Sequence, residues 1–134
     1  MPPLNTPPTL LPSRSLYRGL KCAIIQAMDA EVQAEVDKLR KLIINAVPVE
    51  QIYLFGSYAY GDPHKDSDLD FYVVLKDEVQ MRDLDAGLQI RFAIVPEMTM
   101  PVDIVAKKKK DFVSRLDGFT LERKVTREGI RLYG

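Results

Sequence analysis

The chain has 134 residues, of which 46% are hydrophobic, and this is enough to bury one core in a single domain. Nineteen basic and nineteen acidic side chains give a formal net charge of zero, which argues against a polycation built to coat nucleic acid. The only cysteine, Cys22, excludes an internal disulfide and a thiolate metal cluster, and it fits the cytoplasmic location that we expect. No segment approaches the roughly 20 consecutive apolar residues that a membrane-spanning helix needs.

The N-terminal part contains five prolines within Met1–Pro12, which predicts a proline-rich flexible tail over residues 1–14 and a folded domain over residues 15–134. Apolar residues at every fourth position predict a short first helix in that domain: Leu16, Leu20, Ile24 and Met28. A longer helix follows, with Asp29 as its N-cap and Pro48 as its stop. Its apolar face has helical spacing and consists of Val32, Val36, Leu39, Ile43 and Ala46.

Three short strands are predicted after these helices. Gln51–Phe55 is apolar on both faces, and Asp68–Leu75 is rich in β-branched and aromatic residues after an acidic start. The third strand is Val102–Ala106. Together with the helices, this order predicts an α/β domain.

Further helical segments lie around these strands. A helix over Val79–Val95 is predicted from the near-helical spacing of four apolar residues: Leu84, Leu88, Phe92 and Val95. Two shorter helical pieces flank Gly118, and Gly129 ends the second of them before a short extension, Ile130–Tyr133.

The charges are unevenly distributed along the chain. Nine acids and three bases lie from Glu50 to Ala86, whereas nine bases and four acids lie from Val105 to Gly134. An acidic middle and a basic end suit a metal site beside an anion-binding surface, and solvated helix faces produce the same pattern.

The most informative stretch joins the first two strands. Gly56 and Ser57 are followed by ten residues and then by Asp68-Leu69-Asp70. Because side chains alternate along a strand, Asp68 and Asp70 share one face, where both carboxylates can reach Mg²⁺. Gly56 leaves room for a phosphate, and the Ser57 hydroxyl and nearby N–H groups can donate to phosphate oxygens at a helix start, although a simple strand-ending turn is the alternative.

A third acid lies on the third predicted strand. Asp103 has the apolar neighbours Val102, Ile104 and Val105, and a carboxylate in such surroundings is unusual unless it is paired or bound to a metal. Its possible roles are metal ligand, general base for an incoming hydroxyl, or both, while an edge strand facing water is the structural alternative.

With these residues the chain resembles the nucleotidyltransferase superfamily that includes polymerase β and kanamycin nucleotidyltransferase, and within it the small stand-alone branch. The resemblance covers roughly Val32–Tyr133. It implies the α/β (α+β) nucleotidyltransferase fold, a small mixed sheet flanked by helices, with Mg²⁺ as cofactor and ATP as the usual nucleotide donor. Gly56 and Ser57 then correspond to nucleotide contacts, and the catalytic, metal-binding acids correspond to Asp68, Asp70 and Asp103.

The same resemblance implies a partner. Small domains of this branch are often encoded beside a helical HEPN protein, a ribonuclease toxin, which they modify with AMP as its antitoxin. One feature departs from the branch, because many relatives have arginine where this chain has Tyr60, and the loop therefore lacks a guanidinium for phosphate or a partner's charge.

Other polar and aromatic residues are weaker candidates. His64 is a lone loop histidine, Lys107–Lys110 is interpreted as a solvated helix start, and Tyr58 and Tyr60 are expected to pack locally. Three alternative functions stay open: transfer to a small molecule such as an aminoglycoside, a non-catalytic module that only grips its partner, and an RNA-binding domain that uses the basic end.

Overall fold

A computed structural model describes residues 29–63 and 67–134. Its centre is a four-stranded sheet with the strand order β3-β2-β1-β4. The strands are β1 (Val49–Phe55), β2 (Leu69–Leu75), β3 (Val102–Lys108) and β4 (Ile130–Tyr133). The helices are α1 (Ala30–Ala46), α2 (Asp83–Ile94), α3 (Lys109–Ser114) and α4 (Leu121–Glu128), and a 3₁₀ turn covers Val95–Glu97.

The sheet is mixed. β1 pairs antiparallel with both β2 and β4, whereas β2 pairs parallel with β3. A parallel pair needs a crossover, and α2 lies between these two strands in the sequence. The predicted α/β (α+β) class, a small mixed sheet flanked by helices, is therefore confirmed.

The long helix predicted after Asp29 is also confirmed. The Asp29 carboxylate accepts a hydrogen bond of 2.9 Å from the Glu31 N–H, which satisfies one of the free donors at the start of α1. Val36, Leu39 and Ile43 are buried, so the apolar face of the helix packs on the core.

The three predicted strands are present with small shifts at their ends. β1 begins two residues earlier than predicted and β3 continues to Lys108. β2 begins at Leu69, so Asp68 is the last loop residue before the strand. Ile130–Tyr133, predicted only as an extension, forms the fourth strand by pairing with β1.

The helix predicted over Val79–Val95 is shorter than predicted, and it buries a different face from the one that its apolar pattern suggests. It begins at Asp83, with Arg82 as its N-cap, and Val79 lies in a preceding turn where its N–H donates to the Lys76 carbonyl at 3.2 Å. Its core face consists of Ala86, Ile90 and Ile94. The four residues that predicted the helix are exposed instead, with Leu84 at 68%, Leu88 at 46%, Phe92 at 79% and Val95 at 59%. We call these four the α2 stripe.

The two faces of the sheet carry separate hydrophobic clusters. One cluster joins α1 and α2 to side chains such as Leu54, Phe71 and Val73. The other contains Tyr53, Tyr72, Val74, Phe112 and Val125, and it packs α3 and α4 on the opposite face.

A buried polar pair ties α4 to the central strand β2. The Tyr72 hydroxyl donates a hydrogen bond of 2.7 Å to Glu122 Oε2, and both residues are buried. Burial, and this bond to a carboxylate, raise the pKa of Tyr72 well above its usual value. Because a buried polar group is destabilising without its partner, the pair fixes where α4 crosses the sheet.

Some predictions fall outside the described residues. These are the proline-rich tail, the first helix from Leu16 to Met28, and Cys22. Within the described residues, no helix is long and apolar enough to cross a membrane.

Candidate active site

The site begins where β1 ends. Gly56 follows β1 with φ +80°, a conformation that favours glycine. The N–H groups of Ala59 and Tyr60 both donate to the Gly56 carbonyl, at 3.0 and 3.1 Å, and the Asp62 N–H donates to the Ser57 carbonyl at 2.9 Å. The segment after Gly56 is therefore a series of tight turns, and the expected helix start at Ser57 is wrong. The N–H groups of Ala59, Tyr60 and Asp62 are thus used in hydrogen bonds within the loop.

Gly56 is required by contact as well as by backbone conformation. A Cβ atom at this position would lie 2.1 Å from Asp70 Oδ2 and 3.1 Å from Asp70 Cγ. The first distance is far inside van der Waals contact and the second is a tight contact, so the Asp70 carboxylate lies directly against the Gly56 backbone and would have to move to admit a side chain there. The glycine and the aspartate thus form one unit, although fourteen positions separate them in the sequence.

Strand pairing brings a second carboxylate beside Asp70. In the antiparallel ladder Asp70 is opposite Phe55, and in the parallel ladder it is the register partner of Asp103. Register partners on neighbouring strands lie roughly 5 Å apart and point to the same face. Asp68 precedes Asp70 by two residues, and so the three carboxylates belong to one end of one face of the sheet.

The electrostatics of Asp70 reflect this crowding. Its pKa is raised from 3.8 to about 6, mainly because it is partly buried and also because Asp103 and Asp68 repel its negative charge. Asp103 is exposed, whereas Asp68 and Asp70 are half-buried. A cation at this position would relieve the repulsion, and three carboxylates are the oxygen ligands that Mg²⁺ prefers.

The three carboxylates are near each other, but their oxygens do not surround a common point. Within the described residues, no three histidine, cysteine, aspartate or glutamate side chains are already arranged as a metal-binding group. The donor chemistry and the repulsion at Asp70 nevertheless fit a divalent cation, with Asp68, Asp70 and Asp103 as the residues that would hold it after side-chain rotation.

Ser57 is linked to the segment that carries Asp68 and Asp70 through Ser67, a residue that the sequence analysis did not identify. The Ser57 hydroxyl donates a hydrogen bond of 2.9 Å to Ser67 Oγ, and Ser67 immediately precedes Asp68. The bond closes the ten-residue loop and brings Ser57 next to the carboxylates. The only available signal was a small hydroxyl residue beside the Asp-x-Asp pair, and such residues are common in loops.

The structure also locates most of the residues that the sequence analysis treated as weaker candidates. Tyr58 and Tyr60 pack against the main core, as expected. Lys109 and Lys110 begin α3 and are exposed, as predicted for a solvated helix start, whereas Lys107 and Lys108 are half-buried residues of β3, at its far end from Asp103. His64 lies in residues 64–66, outside the described part.

A comparison with known families agrees with this geometry. The family model described as "Nucleotidyltransferase domain" matches residues 36–132 and so includes all five predicted site residues. The chain belongs to the nucleotidyltransferase domain family. No curated protein matches this nucleotidyltransferase domain by sequence.

Solved structures share the fold of this nucleotidyltransferase domain. A toxin–antitoxin crystal structure with AMP-PNP is 25% identical with a TM-score of 0.52, and the match covers 73% of this chain and 72% of that one. A mutant of the toxin–antitoxin MntA-HpeT is 23% identical with a TM-score of 0.51, with the same coverage of 73% and 72%.

The contact between Gly56 and Asp70 in the nucleotidyltransferase domain can be tested with a matched pair of substitutions. Gly56→Ala and Gly61→Ala both place alanine at positive φ, +80° and +77°, but only position 56 has atoms within 4 Å of the new Cβ. We expect about 1–3 kcal/mol of destabilisation from backbone strain in each, and about 1–3 kcal/mol more at position 56 from the clash. Urea unfolding followed by circular dichroism measures both, and equal losses would contradict the contact.

The raised pKa of Asp70 predicts a pH-dependent stability. The folded state binds this proton more tightly than the unfolded chain, so the stabilisation is complete below about pH 4 and is lost as the pH rises to about 6. Asp70→Asn should therefore stabilise the nucleotidyltransferase domain above pH 6 by about 1 kcal/mol, well below full conversion of the shift because the carboxylate is partly solvated.

The measurement is thermal unfolding between pH 4 and pH 8, with Asp62→Asn as the control that removes an exposed carboxylate from the preceding loop. Added Mg²⁺ should raise the melting temperature of the unmodified domain more than that of Asp70→Asn, because a ligand stabilises only the state that binds it. If the gain in melting temperature of Asp70→Asn does not change with pH, ionisation of the Asp70 carboxylate is not the source of that gain.

Proposed function

We propose that this domain is a Mg²⁺-dependent adenylyltransferase that moves AMP from ATP onto a hydroxyl group of a helical HEPN-type toxin, and that it acts as the antitoxin of that protein. One observation carries the proposal. Asp70 rests on Gly56 at the nucleotide-binding loop and is flanked by Asp68 and by its register partner Asp103. This arrangement supports the proposal, because carboxylates of the kind that bind Mg²⁺ lie next to the Gly-Ser loop.

At the α-phosphorus, the reaction forms one bond to oxygen and breaks another. The acceptor oxygen attacks the α-phosphorus of ATP, and the bond from that phosphorus to the oxygen bridging the β-phosphate breaks, so pyrophosphate leaves with the electron pair. Asp68, Asp70 and Asp103 would hold Mg²⁺, which would neutralise the phosphate charge when bound. Asp103 is exposed on an edge strand, which makes it the carboxylate best able to accept the proton of an incoming hydroxyl. Ser57 and the neighbouring N–H groups hold the triphosphate.

Two features support an adenine nucleotide and a protein acceptor. The similar toxin–antitoxin structure contains AMP-PNP, an analogue of ATP. The similar assemblies are toxin–antitoxin pairs, and the edge position of β3 leaves Asp103 accessible to a large acceptor.

The α2 stripe is the surface that we assign to the toxin. Leu84, Leu88 and Phe92 lie at helical spacing on one side of α2, and Val95 begins the 3₁₀ turn that follows, while the other side of α2 packs on the core. Apolar residues in this pattern suit contact with a helix of another protein. α2 packs against β3, the strand that carries Asp103, but on the face of the sheet opposite the carboxylates, so a toxin docked on α2 would have to extend around this edge strand to present its acceptor.

The reaction can be tested with the tagged chain captured from its own cells together with its partners. After incubation with labelled ATP and Mg²⁺, we expect mass increases of one or more AMP units on a helical partner. Asp68→Ala/Asp70→Ala should abolish the transfer, and Asp103→Asn should reduce it by at least about 100-fold if Asp103 accepts the proton. A tight partner that stays unmodified with every nucleotide would support the non-catalytic module instead.

The docking surface can be tested separately from the chemistry. Phe92→Glu places a charge in the middle of the α2 stripe and should prevent capture of the toxin while leaving ATP binding intact. Phe119→Glu is the matched control, because Phe119 is also fully exposed but lies outside α2, between α3 and α4. Equal capture by the two variants would remove the α2 stripe from the interface.

A further inference from the structure

Helix α4 crosses the same face of the sheet that carries the carboxylates. Tyr72 follows Asp70 by two residues on β2, so the two side chains share a face. The Tyr72 hydroxyl holds Glu122 of α4 at 2.7 Å, and Val125 of α4 is fully buried in the cluster around Tyr72. The start of α4 is therefore fixed beside the active site by buried contacts.

One side chain of α4 reaches the nucleotide-binding loop. Lys124 Nζ lies 5.3 Å from the centre of the Tyr60 ring, within the range of a cation–π contact. Tyr60 is tied to the start of that loop, because its N–H donates to the Gly56 carbonyl at 3.1 Å. A short series of contacts thus runs from Lys124 through Tyr60 and Gly56 to Asp70.

In the part of the chain that the structure describes, the Lys124 ammonium group contacts an aromatic ring and not a carboxylate. Among the residues that the structure describes, the ion pairs involve other lysines and arginines, and Lys124 is exposed. An exposed lysine usually samples many conformations, but the aromatic ring holds this ammonium group at the loop. The result is a positioned cation whose remaining donors face solvent.

We propose that Lys124, held over Tyr60, binds the β- and γ-phosphates of the nucleotide donor. The inference rests on the proposed function. It identifies a residue outside the Gly-Ser loop that would bind the pyrophosphate leaving group of that reaction. When the bond to the α-phosphorus breaks, the departing pyrophosphate gains negative charge, and the Lys124 ammonium group neutralises part of it. The basic C-terminal part of the chain would thereby contribute a phosphate contact to the same site as the carboxylates of the acidic middle.

The test compares ATP with AMP, because only ATP carries the phosphates assigned to Lys124. Binding is measured by titration calorimetry on the isolated full chain with Mg²⁺ and without a partner, so that no acceptor consumes the ATP. Lys124→Met keeps the apolar stem and removes the charge, and we expect it to weaken ATP binding by about tenfold and AMP binding by less than about twofold. Lys124→Arg should retain most of the affinity for ATP.

Two further variants separate a specific contact from a general loss of charge. Lys76→Met removes an exposed lysine just after the opposite end of β2 and should leave both affinities unchanged. Tyr60→Leu removes the ring that positions Lys124 and should weaken ATP binding, whereas Tyr60→Phe keeps the ring and should not. Added salt should weaken ATP binding less in Lys124→Met than in the unmodified chain.

The outcomes distinguish this assignment from the proposed function. If the unmodified chain binds ATP and Lys124→Met binds it equally well, Lys124 is a solvated surface residue and the assignment is overturned alone. If Lys124→Met weakens ATP and AMP equally, its effect is not on the β- and γ-phosphates and the assignment also fails. If the unmodified chain binds no ATP with Mg²⁺, the proposed function fails together with this inference.

Discussion

The parallel pairing of β2 with β3 is the constraint on which the site depends. Every other pairing in the sheet is antiparallel, and the parallel register alone places Asp103 beside Asp70. The antiparallel pairing of β1 with β2 then delivers Gly56 to the other side of the same carboxylate. Two ladders of opposite direction thus meet at Asp70, and a one-residue slip in either would turn a required group to the wrong face.

This arrangement opposes stability in the absence of a ligand. Partial burial of Asp70, and repulsion from Asp103 and Asp68 at the same end of the sheet, together raise its pKa. The surrounding structure maintains the site through strong local contacts, including the fully buried residues Phe71–Leu75 of β2 and the buried pair of Tyr72 with Glu122. A strand this well packed can hold charged groups at its half-buried beginning.

Features set by local sequence were predictable, and features set by distant contacts were not. The spacing of Gly56 and Ser57 from Asp68 and Asp70 needs only a strand, a loop and a second strand, and each has its own local signals. The apolar periodicity of α2 predicted the helix but not its buried face, because small Ala86 gives a weaker signal than exposed Phe92. From the sequence, Tyr60 replaces the arginine of many relatives, which indicates that the loop lacks a positive charge. Nothing in the sequence indicates that Lys124 of α4 lies over the Tyr60 ring.

Asp103 combines exposure with a position on the outermost strand of the sheet. On the proposed function, an acceptor would reach this carboxylate from the open side of the molecule, so the choice of acceptor would belong to whatever surface brings it there. Transfer chemistry and target recognition would then be separable traits. Substitutions on the outer helix would redirect such a domain to a new target without disturbing the strands that perform the reaction, and related domains would diverge in specificity sooner than in mechanism.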